Sequence, residues 1–213
     1  MNGSSPKAVL LPIQGKNGAG HYGHGLSPKE TFERLHQQAR GVEFISYLTN
    51  HWRVSGNFVF TDSGIAAQKA VEIGEAVTGL KCLVRKFSDL EKVWQTVPPE
   101  ARVRNGDGIM PTATGCLRLL YVALSARVGV ETAEPTGNIG ASVEILAWPS
   151  PQDVLCLYDR KKSGGVSHVR RQVLTFLRRQ CSSSDIHGTS RALSVIRNLL
   201  ENRNMCYGQK VPS

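Results

Sequence analysis

Apolar positions recur along this chain at two periods, near 3.6 and near 2, and the switches between them outline its elements. "SPKE", residues 27–30, puts Ser27 at a helix N-cap, Pro28 at the first helical position and Glu30 where a capping box needs a carboxylate. Phe32, Leu35 and Ala39 then share one face, and Gly41 is a natural stop. "HWRVSGNFVFTD" (51–62) alternates Trp52, Val54, Phe58 and Phe60, with Gly56 as a turn or bulge between two short strands. "SGIAAQKAVEIGEAVTGL" (63–80) returns to helical spacing through Ala66, Ala70, Ile73 and Val77. "KCLVRK" (81–86) reads as a strand, and "SDLEKVWQT" (88–96) opens on a second Ser-x-x-Glu pattern that predicts a short helix.

The second half is less regular. "VPPEARVRNGDGIMPTATG" (97–115) reads as a long Pro/Gly loop. "CLRLLYVALSARVGV" (116–130) fits a helix through Leu117, Leu120, Tyr121 and Leu124, and fits a buried strand as well. After the "EPTGNIG" turn region, "ASVEILAW" (141–148) and "DVLCLYD" (153–159) read as strands on either side of the "PSP" break. Helices near 166–180 and 190–203 complete the chain, and no internal repeat is visible. Strands and helices mix without regular alternation, which predicts an α+β fold: a small mixed or antiparallel sheet with packed helices and a basic C-terminal helical pair. Three segments follow from this: a flexible Gly-rich arm over 1–27, an α+β core over 28–159, and a basic helical part of the same domain over 160–213.

Charge sharpens the picture. The net charge of +9 is confined to one quarter of the chain. Residues 1–159 hold 15 Lys/Arg and 15 Asp/Glu, whereas residues 160–213 hold 11 Lys/Arg against Asp185 and Glu201 alone. A segregated surplus of this kind predicts an anionic partner. On a wheel of 166–180, Val166, Val169, Val173, Phe176 and Leu177 form the apolar stripe, Arg171 and Arg178 lie nearly opposite it, and Arg170 and Arg179 flank it. The next helix turns Ala192, Leu193, Ile196, Leu199 and Leu200 inward and leaves Arg191 and Arg197 more exposed, while Arg160, Lys161 and Lys162 precede the pair on a Gly-containing loop. These nine residues are the expected binding surface. Arginine predominates, which suits forked contacts to phosphate oxygens. Nucleic acid, RNA ahead of DNA, and acidic lipid both answer to this chemistry. The connection "CSSSDIHGTS" is too long for a helix-turn-helix, and no aromatic-rich strand offers a stacking platform. A DNA-binding regulator of a mobile element or phage is an alternative reading.

Catalytic signatures are sparse. Gly18, Gly20 and Gly23 spell G-x-G-x-x-G after the apolar "AVLLPI", which would make the Gly18–Gly23 loop a nucleotide site in an enzyme, with Glu43 as ribose ligand. The clear helix start at Ser27 comes several residues too late for that, and Pro12 interrupts the candidate strand. His21 and His24 lack a third metal ligand nearby, and Asp62 and Asp107 read as turn or cap residues. No Ser nucleophile elbow or local Cys-His pair is present. The expectation is a non-enzymatic protein without cofactor or metal. Five dispersed cysteines, Cys82, Cys116, Cys156, Cys181 and Cys206, form no CxxC pair and predict reduced thiols. No apolar run approaches the about 18 residues of a membrane span, and the N-terminal stretch makes a poor signal peptide, so a cytoplasmic or nuclear location is expected.

The segment "HWRVSGNFVFTDSGIAAQKAVEIGEAVTGL" (51–80), strand, turn and amphipathic helix, resembles part of the matrix proteins of rhabdovirus-type negative-strand RNA viruses. That resemblance implies a virion protein that self-associates as a homo-oligomer and bridges a nucleocapsid to a membrane. The chain departs from the pattern in two respects. Its budding-type motifs are incomplete: "PPEA" (98–101) lacks the Tyr of PPxY, and "PTAT" (111–114) lacks the last Pro of P-T-A-P. Its basic excess is C-terminal, whereas such proteins tend to carry theirs in the N-terminal arm.

Overall fold

In a computed structural model, which describes residues 6–13, 25–49, 56–63, 65–102, 109–112, 115–126, 136–181 and 185–203, helices and antiparallel sheets combine in an α+β fold. The chain divides into two compact units, Met1–Ser88 with Asn198–Ser213, and Asp89–Arg197. The sequence divisions at 27/28 and 159/160 fall inside these units.

The first unit is built on a four-stranded antiparallel sheet. Its strands β1 (Lys7–Pro12), β2 (Phe44–Thr49), β3 (Gly56–Thr61) and β4 (Cys82–Lys86) are ordered β2-β3-β1-β4. Helices α1 (Pro28–Gln38) and α2 (Ala66–Thr78) pack on it. The placement of β1 corrects one expectation, because Lys7–Pro12 is a central strand and not part of a flexible arm. Ala8 and Leu10 join Phe32, Leu35, Phe58, Phe60, Ala66 and Ala70 in one core, while Val9 and Leu11 on the other face are also buried. Burial on both faces makes "AVLLP" an unbroken apolar run, without the alternation that advertises a strand. Pro12 is tolerated because it ends the strand. β2 escaped the sequence reading for a related reason: a register shift between Phe44 and Ser46 breaks its alternation.

α1 begins as its sequence dictates. Ser27 Oγ accepts the Glu30 N–H at 3.2 Å, and Glu30 Oε2 accepts the Ser27 N–H at 2.7 Å. Ser27→Ala leaves one first-turn N–H without its partner and is expected to cost about 1 kcal/mol, read as a lower denaturant midpoint at constant slope.

The second unit runs α3 (Phe87–Thr96), α4 (Pro99–Arg102), β5 (Ile109–Thr112), β6 (Gly115–Leu124), β7 (Gly137–Gly140), β8 (Val143–Ser150), β9 (Asp153–Asp159), α5 (Val166–Gln180), β10 (Gly188–Ala192) and α6 (Leu193–Glu201). α3 starts and α6 ends across the unit boundaries. The strands form an antiparallel sheet of order β10-β6-β9-β8-β7, and β5 also pairs with β6. The helix that Leu117, Leu120, Tyr121 and Leu124 fit is thus the strand β6, the alternative that the same residues allow. Leu119 through Leu124 are all buried, so helical and strand periodicities are equally satisfied and only pairing decides. Leu120, Val122 and Leu124 share one face with Val154, Cys156 and Tyr158 of β9, and α5 closes it with Val169, Val173, Leu174 and Leu177. The long loop expected over 97–115 holds α4 and β5.

The expected second basic helix over 190–203 is also corrected. Residues 188–192 pair with β6 as β10, and only Leu193–Glu201 is helical. Among the described residues, no helix is long and apolar enough to cross a membrane.

Candidate functional site

β9 leads through a short loop into α5, and among the described residues this loop and α5 together carry five of the six exposed Lys and Arg side chains of the second unit. Gly164 (φ 72°) and Gly165 (φ 97°) both occupy the left-handed region, which turns the chain sharply from Arg160–Lys162 into the helix. α5 starts without a side-chain cap and without an acid in its first turn. Its apolar stripe is consumed by the sheet. The outward stripe consists of His168, Arg171, Thr175 and Arg179, all exposed.

The nine candidate residues therefore separate. Arg160, Lys161, Lys162, Arg171 and Arg179 are exposed. Lys162 Nζ lies 3.7 Å from Asp159 Oδ2, and Asp159 Oδ1 also accepts the Lys161 N–H at 2.9 Å. Among the described residues, no carboxylate pairs with Arg160, Arg171 or Arg179. At a rise of about 1.5 Å per residue, Arg171 and Arg179 stand about 12 Å apart along α5, on the same outward side.

Four residues depart from the expected surface. Arg191, expected on the outward side of a helix, is 3% exposed on β10, where Nη1 donates to Thr189 Oγ1 at 2.6 Å and to the Ser190 carbonyl at 2.9 Å. The strand pairing turns it to the sheet face opposite α5, across from Tyr121. Arg178 is half-buried and donates Nε to the Ile186 carbonyl at 3.0 Å, fastening the end of α5 to the segment that enters β10. Arg170 is half-buried on the core-facing side of α5 with an enclosed Nη1, and burial, with Arg171 beside it, lowers its pKa. Arg197 is half-buried on α6. Four guanidiniums on α5 thus do not point outward together, because wheel position alone ignores what the neighbouring strands require.

The sequence reading missed a polar group on the far face of the same sheet. Tyr121 Oη donates to Asp153 Oδ1 at 2.7 Å, and Ser150 Oγ donates to the other carboxylate oxygen. Tyr121 and Asp153 are buried. Thirty-two positions separate them, and only the diagonal register of β6 and β9 brings them together. Both carboxylate oxygens are satisfied, which makes this a structural knot more than an open site.

Other candidates resolve individually. Gly18, Gly20, Gly23, His21, His24 and Asp107 lie outside the described residues. Glu43 accepts a hydrogen bond from Thr61 Oγ1 at 2.7 Å, and Asp62 lies 3.6 Å from Lys86 Nζ. Cys82, Cys156 and Cys181 are thiols, and burial pushes the Cys156 pKa up to about 12. Among the described residues, no group of three or more His, Cys, Asp or Glu could hold a metal ion. Comparison with protein-family models, with curated proteins and with solved structures finds no match to this chain.

Proposed function

We propose that this is a non-enzymatic binding and assembly protein that holds the phosphate backbone of a nucleic acid through the β9–α5 junction and the outward stripe of α5. The observation that carries the reading is the exposure of Arg160, Lys161, Lys162, Arg171 and Arg179 with, among the described residues, a single ion pair, Lys162 with Asp159. A spacing of about 12 Å between Arg171 and Arg179 spans three to four nucleotides at about 3.4 Å per nucleotide. Nucleic acid is favoured over lipid because α5 spends its apolar face on the sheet. Ile65 and Val166 are the large apolar side chains exposed among the described residues, too few to insert into a bilayer. The matrix-protein resemblance fits within this reading, with RNA of a nucleocapsid as the ligand and self-association as the assembly mode.

Anisotropy of a labelled single-stranded RNA, titrated with the full chain at several salt concentrations, tests it. Five contacts predict a log–log slope of about −3.5, or about −4.5 on duplex DNA. Arg160→Gln, Lys161→Gln, Arg171→Gln and Arg179→Gln combined should abolish binding at 150 mM salt (about physiological ionic strength) without changing the circular dichroism spectrum. Salt-insensitive binding, or an unaffected quadruple variant, would refute the reading. Retention on phosphatidylserine vesicles but not on RNA would replace the partner with acidic lipid.

A further inference from the structure

One basic residue outside the C-terminal quarter stands at this junction. Arg118 on β6 lies directly across from Tyr158 on β9, so both side chains project from the same face of the sheet. Arg160 follows Tyr158 by two residues. Tyr158 is 5% exposed, its ring is part of the core under α5, and its hydroxyl makes no hydrogen bond to any described residue. Burial pushes the Tyr158 pKa up, while the charges of Arg118 and Arg160 act on the phenolic oxygen in the opposite sense.

Among the described residues, neither Arg118 nor Arg160 forms an ion pair. Asp159 is engaged by Lys162 and by the Lys161 N–H. Glu144 is across from Leu157, whose side chain occupies the other face. The Tyr158 hydroxyl is not among the enclosed polar atoms, so it reaches the surface at the edge of the core, and an oxyanion there would offset the repulsion between the two guanidiniums and accept from the phenol.

We propose that Arg118, Tyr158 and Arg160 form a binding position for one phosphate group, the Tyr158 hydroxyl donating to one oxygen and the two guanidiniums flanking it. The proposal rests on the reading that this end of the unit meets phosphate, yet it does not require the stripe on α5. The group's source is either a nucleic-acid backbone or free phosphate.

Arginine side-chain Nε–Hε resonances of the full chain report on it directly. Inorganic phosphate, added at constant ionic strength, should shift the Arg118 and Arg160 signals saturably. Tyr158→Phe should weaken that binding about tenfold or more, as expected for loss of a hydrogen bond to a charged group. Arg118→Gln should suppress the Arg160 response. Shifts with a single-stranded RNA 12-mer but not with inorganic phosphate identify a backbone phosphate, and the reverse identifies free phosphate. Silent or merely linear responses to both ligands overturn the proposal, as does a Tyr158→Phe variant with unchanged affinity. RNA binding that moves Arg171 and Arg179 while leaving Arg118 and Arg160 silent overturns this proposal alone. Loss of RNA binding in Arg171→Gln/Arg179→Gln, with the phosphate response intact, separates the two the other way.

Discussion

Phe58→Ala should destabilise the first unit by about 3–5 kcal/mol, the largest single-site loss expected in the chain. Phe58 is fully buried on β3, in register with Leu10 of β1 on one side and Tyr47 of β2 on the other. The core it belongs to draws on all four strands and both helices, with Phe32, Leu35, Ala66 and Ala70 among its members. No single neighbour can move into the space a phenyl ring leaves, so the cavity persists and its cost adds to the lost transfer energy. Chemical denaturation would show a lower midpoint. A loss below about 1 kcal/mol would mean that the cluster is loosely packed.

Gly188→Val comes second, at the upper end of the about 1–3 kcal/mol that overpacking costs. A Cβ at Gly188 would meet the Ala123 carbonyl oxygen at 2.8 Å and Leu174 Cδ2 at 3.0 Å. The carbonyl belongs to β6 and cannot step aside without disturbing the ladder that β10 shares with it. Gly74 makes an instructive contrast. Its Cβ would come even closer, 2.6 Å, but to Leu10 Cδ2, the tip of a side chain that can rotate. Alanine inside α2 also recovers up to about 1 kcal/mol of helix propensity. Gly188→Ala should therefore lower the melting midpoint more than Gly74→Ala does. The opposite order would show that β10 yields more readily than a core leucine.

These two positions also show what was legible in the sequence. α1, α2, β4 and α5 were readable from their local pattern of apolar positions, which for α1 is reinforced by the Ser27–Glu30 capping box and for α2 by Gly79 at its end. β1, β2, β6 and β10 were not. Each is specified by its partners: β1 and β6 are apolar on both faces, β2 carries a bulge, and β10 reads "GTSRA", in which an arginine passes for a surface residue until pairing buries it. The same limit applies to the candidate site. Composition located the charge surplus, but only five of the nine residues expected at the surface are exposed, because pairing and burial decide the other four. Arg118 was invisible because the residue that gives it meaning, Tyr158, is 40 positions away and becomes its neighbour only through register.

The paired left-handed glycines ahead of α5 set a rule for variation in this protein. Any side chain at position 164 or 165 has to adopt a backbone shape that only glycine enters at no cost, so exchange there strains the turn whatever its polarity. The exposed cations at 160–162 carry no such constraint and can trade lysine for arginine while the turn still delivers them to the same edge of the helix. A saturation mutagenesis library selected only for soluble expression should accordingly return two intolerant glycine sites and, beyond the buried Ser163, three permissive ones. The ligand's chemistry would then be written in the permissive three and the architecture in the intolerant two.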